Sequence, residues 1–365
     1  MSDTTQDGVR QSNGKVETSH HPETDPRRKD KNYYGIPPIK HAHWTWQIPV
    51  YFWIGGIGAG VHLFSTIAQI LGHRDAALTR TSRYTVLGTM ILSPILLIWD
   101  LGRPERFYNM LRILKLRSPM STQSWSVFAF GNLGGLIAAR QAAEDGLLGE
   151  DNLQVRLVKL IPARFLSLLA LPVGINVGSN TGNLISATSV PLWARNWLFM
   201  GPTFLASGLS TALSWLSLVL HLTHSGEKKT LRTLHRAEKA TIVIEAGLIA
   251  ASLVRMNRWS KPLFSREVAP LFVGGTLLGG IAAPMALLFG KESRSRSIIA
   301  SVLALAGGLE QPLVLRPLLG GAGGISGVGR ASGATTGSQE QEQHQQGRAR
   351  DRRTRHRSPS CIAEG

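Results

Sequence analysis

Asp100 ends the apolar run "VLGTMILSPILLIW", residues 86–99, and Arg103, Glu105, Arg106 and Arg112 follow within a dozen positions. A carboxylate at a membrane edge, paired with Arg103 or Arg106, is able to exchange protons with a buried ligand. The plainer reading is that Asp100 ends a helix while the guanidiniums meet lipid phosphates. Glu245 stands between "TIVI" and "AGLIA". A carboxylate there costs ~3 kcal/mol to insert and normally faces the protein interior. His62 is the one histidine inside an early apolar run, and a single histidine often only bonds a carbonyl on the next helix. "IKHAHWTWQIP", residues 39–49, puts His43, Trp46 and Gln47 just before an apolar segment. Tryptophans there suit an interface belt, or an indole platform for a flat ring whose oxygens bond to His or Gln. A quinone has that shape. Asn176, Asn180, Thr181 and Asn183 are neutral hydrogen-bonders that could serve a ligand or repair a broken backbone.

The elements that must carry these residues are helices that span a membrane. Residues 48–71 contain no charge over 24 positions, enough for a spanning helix. Gly56 and Gly60 form a GxxxG pair that lets a second helix approach closely. Further spans are expected near 84–101, 124–139, 163–189, 197–222, 240–254 and 268–289, with a weaker eighth near 297–319. The fourth is expected to break at "GSNTGN" and to line a cavity. No segment alternates with period two, so a β-barrel is not expected. The fold class is therefore all-α, a polytopic transmembrane bundle of about eight helices over residues 41–319. Residues 1–40 read as a disordered arm and 320–365 as a low-complexity basic tail. The first apolar run is too long for the h-region of a signal peptide.

Composition agrees. The protein has 365 residues, 43% hydrophobic and only 17% charged, with a net charge of +17. Most of that excess lies between apolar runs, where it suits anionic lipid headgroups. Lys and Arg are spread evenly over both sets of loops, so they give no orientation. A nucleic-acid partner is not expected, since only "GRARDRRTRHR" in the tail is suitable. One cysteine, Cys361, excludes an internal disulfide, an iron–sulfur cluster and a Cys-rich zinc site. A haem would need two facing histidines; His62, His221 and His224 do not signal such a pair.

Three stretches together resemble the polysulfide reductase NrfD family: "HWTWQIPVYFWIGGIGAG", "DLGRPERFYNMLRILKLRSPMSTQSW" and "NTGNLISATSVPLW". The resemblance covers roughly residues 33–300. It implies an inner-membrane, multi-pass subunit without haem that binds menaquinone or ubiquinone. Its implied partners are a four-cluster iron–sulfur protein and a molybdopterin catalytic subunit. Carried over by motif, His43, Trp46 and Gln47 are expected beside the quinone, with Asn109 a further polar contact. Asp100 and Arg103 match the Asp-Leu-Gly-Arg-Pro signature and are expected to handle protons, as is Glu245. Thr181 and Gly182 match a Thr-Gly commonly preceded by Tyr, and here Asn180 takes that place. His62, Asn180 and Thr181 complete the expected quinone group. After "ALAGGLEQPLVLRPLLGGAGG" the sequence leaves the family pattern, which suggests a shifted reading frame near residue 309. A second function class stays open, a secondary transporter or proton channel, for which the broken fourth helix and Glu245 would be the signature.

Overall fold

The structure is a computed structural model, and it describes residues 45–73, 75–149, 153–187, 191–266, 268–290 and 293–319. The arm 1–40, the tail 320–365 and His43 lie outside the described residues. Helix α1 spans Gln47–Ile70 and α2 Ala76–Trp99. A 3-10 helix over Pro104–Leu111 leads to α3, Pro119–Glu144. Short α4, Leu153–Leu160, precedes α5, Ala163–Ser186. Short α6, Pro191–Ala194, precedes α7, Trp197–Leu222, and α8 runs Lys228–Met256. A second 3-10 segment, Asn257–Phe264, is followed by a wide π-helix over Pro270–Ala282. The π-helix continues as α9, Ala283–Phe289, and α10, Arg294–Leu319, completes the bundle. No strand occurs among the described residues. Four of these helical segments are long and apolar enough to cross a membrane: Gln47–Ile70, Ala76–Trp99, Trp197–Leu222 and Pro270–Phe289.

Side-chain contacts fix the two ends of the bundle. At the first end the start of α1 meets the start of α3 and the end of α5, through Tyr51, Gln123 and Asn180. At the second end Asp75 caps α2, accepting from the Ala77 and Leu78 N–H groups at 2.8 and 3.3 Å. The same carboxylate accepts from the Glu227 N–H at 3.3 Å, so one side chain tethers the starts of α2 and α8. Also at this end, Arg83 donates to Gln141 at 2.8 Å and Glu144 at 3.1 Å, and Arg80 pairs with Asp145 at 3.0 Å. The Tyr84 hydroxyl beside Asp145, with Gln141 and Arg80, holds that carboxyl below its ordinary range.

Helix α7 is the centre, packing along α1, α5, α8 and α10. The GxxxG pair of α1 does what its spacing predicts. A Cβ at Gly60 would stand 2.6 Å from the Gly208 carbonyl oxygen and 2.7 Å from the Ala212 Cβ. Only glycine allows so close a backbone approach.

The expected break in the fourth span is absent. Helix α5 is continuous through "GSNTGN". Its glycines are packing positions instead: a Cβ at Gly182 would lie 2.3 Å from the Met200 carbonyl group on α7. Asn180 turns its side chain to α3 rather than to its own backbone, so no freed carbonyl needs repair.

Candidate functional site

The residues singled out at the first end sit on three helices that the sequence separates widely. The Thr45 hydroxyl donates to Asp100 Oδ1, which ties the segment before α1 to the end of α2. Directly beside it, the half-exposed Trp46 ring meets Trp99 edge-on with centroids 5.6 Å apart. Gln47 is buried, and its Oε1 has no hydrogen-bond partner. An orphaned buried amide oxygen costs about 1–3 kcal/mol.

One turn deeper lies a buried polar relay. Gln123 Nε2 on α3 donates to the Tyr51 hydroxyl oxygen on α1. Asn180 Nδ2 on α5 donates to Gln123 Oε1 at 2.8 Å and to the Pro119 carbonyl at 3.0 Å. Asn183 Nδ2 faces Asn180 Oδ1 at 3.5 Å, and nearby Asn176 donates to Ser126 Oγ at 2.6 Å. Tyr51, Gln123 and Asn180 are each less than 5% exposed, so the relay is protein-enclosed. Once Gln123 has donated to its oxygen, the tyrosine keeps its own O–H as a donor.

Thr181, the next residue on α5, lines a cavity of about 20 Å³ with Trp53, Gly56, Phe204, Ser207 and Thr211. That is room for one water. Ser207 also faces α8, where it and Ser210 donate to the buried Glu245 carboxylate. A path of polar groups thus leads from Thr181 through Ser207 to Glu245, linking the first end to the bundle interior.

Other expected residues stand apart. Arg103 is exposed and, among the described residues, forms no ion pair with Asp100; the same holds for Arg106. Arg103 precedes the 3-10 segment and Arg106 lies within it, and the carboxylate's partner is a hydroxyl. Asn109 lines an open groove of about 470 Å³ together with Arg112, Lys115, Ser121 and Ser124. His62 lies fifteen residues along α1 from Gln47, ~22 Å at 1.5 Å per residue. Its Nε2 donates to the Ser167 carbonyl at 3.1 Å and its ring packs edge-on against Phe130. It is a tether between α1 and α5, remote from the first end. No group of three metal-ligating side chains occurs among the described residues.

Tyr51, Gln123, Ser207, Ser210 and Glu238 were not singled out from the sequence. Tyr51 follows Gln47 by one helical turn, a spacing that could have found it. Glu238 was masked by its neighbours Arg236 and Lys239, which made its segment look like a solvated loop.

The comparisons with known proteins bear on the same helices. The protein is similar to the C chain of polysulfide reductase from Wolinella succinogenes, 26% identical over 290 residues, which covers 76% of this sequence and 83% of that one. It is 24% identical over 318 residues to protein NrfD of Escherichia coli, covering 80% and 90% of the two. A Halobacterium salinarum protein, provisionally named as the C membrane subunit of a dimethyl sulfoxide reductase, is 27% identical over 329 residues, covering 80% and 74%. The family description "Polysulphide reductase, NrfD" matches residues 38–317, which takes in every long helix but the last two residues of α10, and all the polar groups from Tyr51 to Glu245. With that match over most of its length, the chain belongs to the NrfD polysulphide reductase family.

Proposed function

We propose that this protein is the membrane subunit of a multi-subunit oxidoreductase, and that it binds a quinol or quinone at the first end of its bundle. It exchanges electrons with a four-cluster iron–sulfur protein that is joined to a molybdopterin catalytic subunit. All eight long helices cross the cell (inner) membrane in this reading. The names of the Wolinella and Halobacterium relatives, one polypeptide of several in a reductase and a reductase membrane subunit, support the assembly.

The observation that carries the quinone reading is the buried relay Tyr51–Gln123–Asn180 beneath Trp46 and the orphaned Gln47 Oε1. These residues fit a flat ring with two oxygens. Trp46 offers an aromatic face, Gln47 an amide with a spare acceptor, and Tyr51 a free hydroxyl proton. A bound quinol supplies two electrons and two protons at its ring oxygens. The protein's own task is then to orient the ring and to remove or deliver protons. Asp100 at the rim and Glu245 in the interior are the acids for that work, joined to the ring site by Thr45 and by Thr181–Ser207. Arg103 and Asn109 face the headgroup region, where a basic groove suits anionic lipid.

The transporter alternative keeps the buried Glu245 but loses its broken helix, because α5 is continuous. The test is quinol binding to the purified complex, followed by quenching of tryptophan fluorescence. W46F is expected to remove most of the quench. A complex that takes up no quinone, and carries none through purification, would refute the reading.

A further inference from the structure

The segment that joins α2 to α3 at the first end is composed unlike a water-facing loop. Every residue from Gly102 to Arg117 is exposed except half-buried Leu111. Phe107, Tyr108, Met110, Ile113, Leu114 and Leu116 are among them, each 40–79% exposed. Interleaved with these apolar side chains are Arg103, Arg106, Arg112, Lys115 and Arg117, against a single acid, Glu105. Among the described residues none of the five cations forms an ion pair. Water favours only the cations and hydrocarbon only the apolar side chains. The headgroup boundary of a membrane favours both.

One place in this segment is a formed site. Asn109, Arg112 and Lys115 line the 470 Å³ groove together with the first turns of α3, and Met110, Ile113 and Met120 give it an apolar side. The loop backbone there is clamped to α3. Ser121 Oγ accepts from the Lys115 N–H at 3.0 Å and donates to the Ile113 carbonyl at 3.1 Å. Thr122 Oγ1 donates to the Leu116 carbonyl at 3.4 Å. The two cations therefore project from a fixed backbone. From the groove, Met120, Ser124 and Phe128 continue along α3 in steps of four, which places them on one face. Met120 is 61% and Phe128 49% exposed. A phosphodiester that carries acyl chains matches this layout, with its anion between Arg112 and Lys115 and a chain laid over Met120 and Phe128. An acidic peptide would satisfy the cations but leave that apolar track, which runs into the membrane, uncovered.

We propose that this groove binds the headgroup of an anionic phospholipid, and that the bound lipid holds the start of α3 where the Tyr51–Gln123–Asn180 relay needs it. Loop, cap and relay share residues 118–123. Ser118 Oγ caps α3 by accepting from the Ser121 N–H at 3.4 Å, and the Ser118 carbonyl accepts from the Thr122 hydroxyl at 3.0 Å. The Pro119 carbonyl accepts from Asn180 Nδ2 at 3.0 Å, and Gln123 Oε1 accepts from the same nitrogen at 2.8 Å. A phosphate that draws Arg112 and Lys115 together tightens the loop on Ser121, two residues before Gln123. Loss of the lipid leaves two neighbouring cations to repel each other and loosens that turn. The lipid site stands independently of the quinone reading, and its effect on turnover rests on that reading.

The experiment places the purified complex in nanodiscs of phosphatidylcholine alone or of phosphatidylcholine with phosphatidylglycerol. Quinol turnover is one readout, and lipid retained through detergent washing, counted by native mass spectrometry, is the other. The wild type is expected to retain phosphatidylglycerol and to turn over quinol severalfold faster when it is present. R112Q/K115Q is expected to lose retained phosphatidylglycerol about tenfold or more. Its turnover is expected to equal the wild type's in phosphatidylcholine and to gain nothing from phosphatidylglycerol. R112K/K115R keeps both charges and is expected to restore retention, and R106Q/R117Q, which removes two charges outside the groove, is expected to behave as wild type. Inorganic phosphate added to phosphatidylcholine nanodiscs is expected to activate nothing, and activation by it would overturn the lipid assignment. A wild type that retains no phosphatidylglycerol, or that turns over quinol equally well in both lipids, overturns the proposal. So does R112Q/K115Q with wild-type retention, or one that sheds a partner protein while keeping its lipid, which would make the groove a protein contact. If that variant does not assemble, the wild type's retention and activation decide. Retained phosphatidylglycerol in a wild type without any quinol turnover refutes only the quinone site, whereas turnover indifferent to lipid, with none retained, refutes only the groove.

Discussion

Replacing Gly60 by alanine adds one methyl group where α1 crosses α7. That methyl would stand 2.6 Å from the Gly208 oxygen, 2.7 Å from the Ala212 Cβ and 2.9 Å from the Leu209 Cα. Two of those three atoms are backbone, so no flexible side chain can swing away. Comfortable contact needs ~3.5 Å, and the helices must part by most of an ångström. Overpacking of this kind costs about 1–3 kcal/mol. Gly135 on α3 is the control, because a Cβ there meets nothing within 4 Å. Both G60A and G135A gain the same intrinsic helix preference of alanine, so the difference between them isolates the clash. G60A is expected to melt ~2–10 °C below G135A in detergent, followed by size-exclusion chromatography after heating. The same parting widens the small cavity that Gly56 and Gly208 share with Thr181 and Ser207, so quinol turnover falls in G60A alone. Equal melting temperatures for the two variants would refute the packing argument and the site geometry that depends on it.

Q123L is expected to lower quinol turnover by about 5- to 100-fold, since it orphans both the Tyr51 and Asn180 side chains at ~1–3 kcal/mol each; steady-state kinetics of the assembled complex checks it. D100N is expected to slow proton-coupled turnover more in D2O than in water, and unchanged turnover would remove the proton role of Asp100. D75A is expected to destabilise the bundle by about 1–2 kcal/mol, read by thermal unfolding, because one side chain caps α2 and tethers α8. Although burial pushes the Asp75 carboxyl up, bonds from Thr230, Leu78, Ala77 and Glu227 outweigh it and lower its pKa. A lowered native value means the stabilisation is complete above the ordinary carboxylate range and is lost as pH falls below about 4. Wild type is therefore expected to lose stability over that acid window, and D75A to lose less.

The sequence made some of this structure legible and concealed the rest for definite reasons. Uncharged runs gave the long helices directly, because hydrocarbon admits few charges. Gly56 and Gly60 announced a close crossing, although only the fold names α7 as the partner. The run "GSNTGN" misled because glycine has two uses: read as a breaker it predicts an interruption, whereas here Gly178 and Gly182 seat neighbouring helices. Glu245 stood out as a lone charge, while Glu238 disappeared among Arg236 and Lys239. The Tyr51–Gln123–Asn180 relay is invisible along the sequence, since its members are 72 and 57 residues apart and meet only in the bundle. Asp100 ends α2, as its place after the apolar run predicts, but its partner is Thr45 rather than a guanidinium.

The most direct measurement of the central claim is the quinone content of the complex purified from its native membrane in mild detergent. Wild type and Q123L would be compared by organic extraction and mass spectrometry, with co-purifying proteins identified alongside. The account predicts about one menaquinone or ubiquinone per wild-type protomer, at least a fivefold loss in Q123L, and an iron–sulfur protein in both. Quinone absent from the wild type, or held equally well by Q123L, would contradict it.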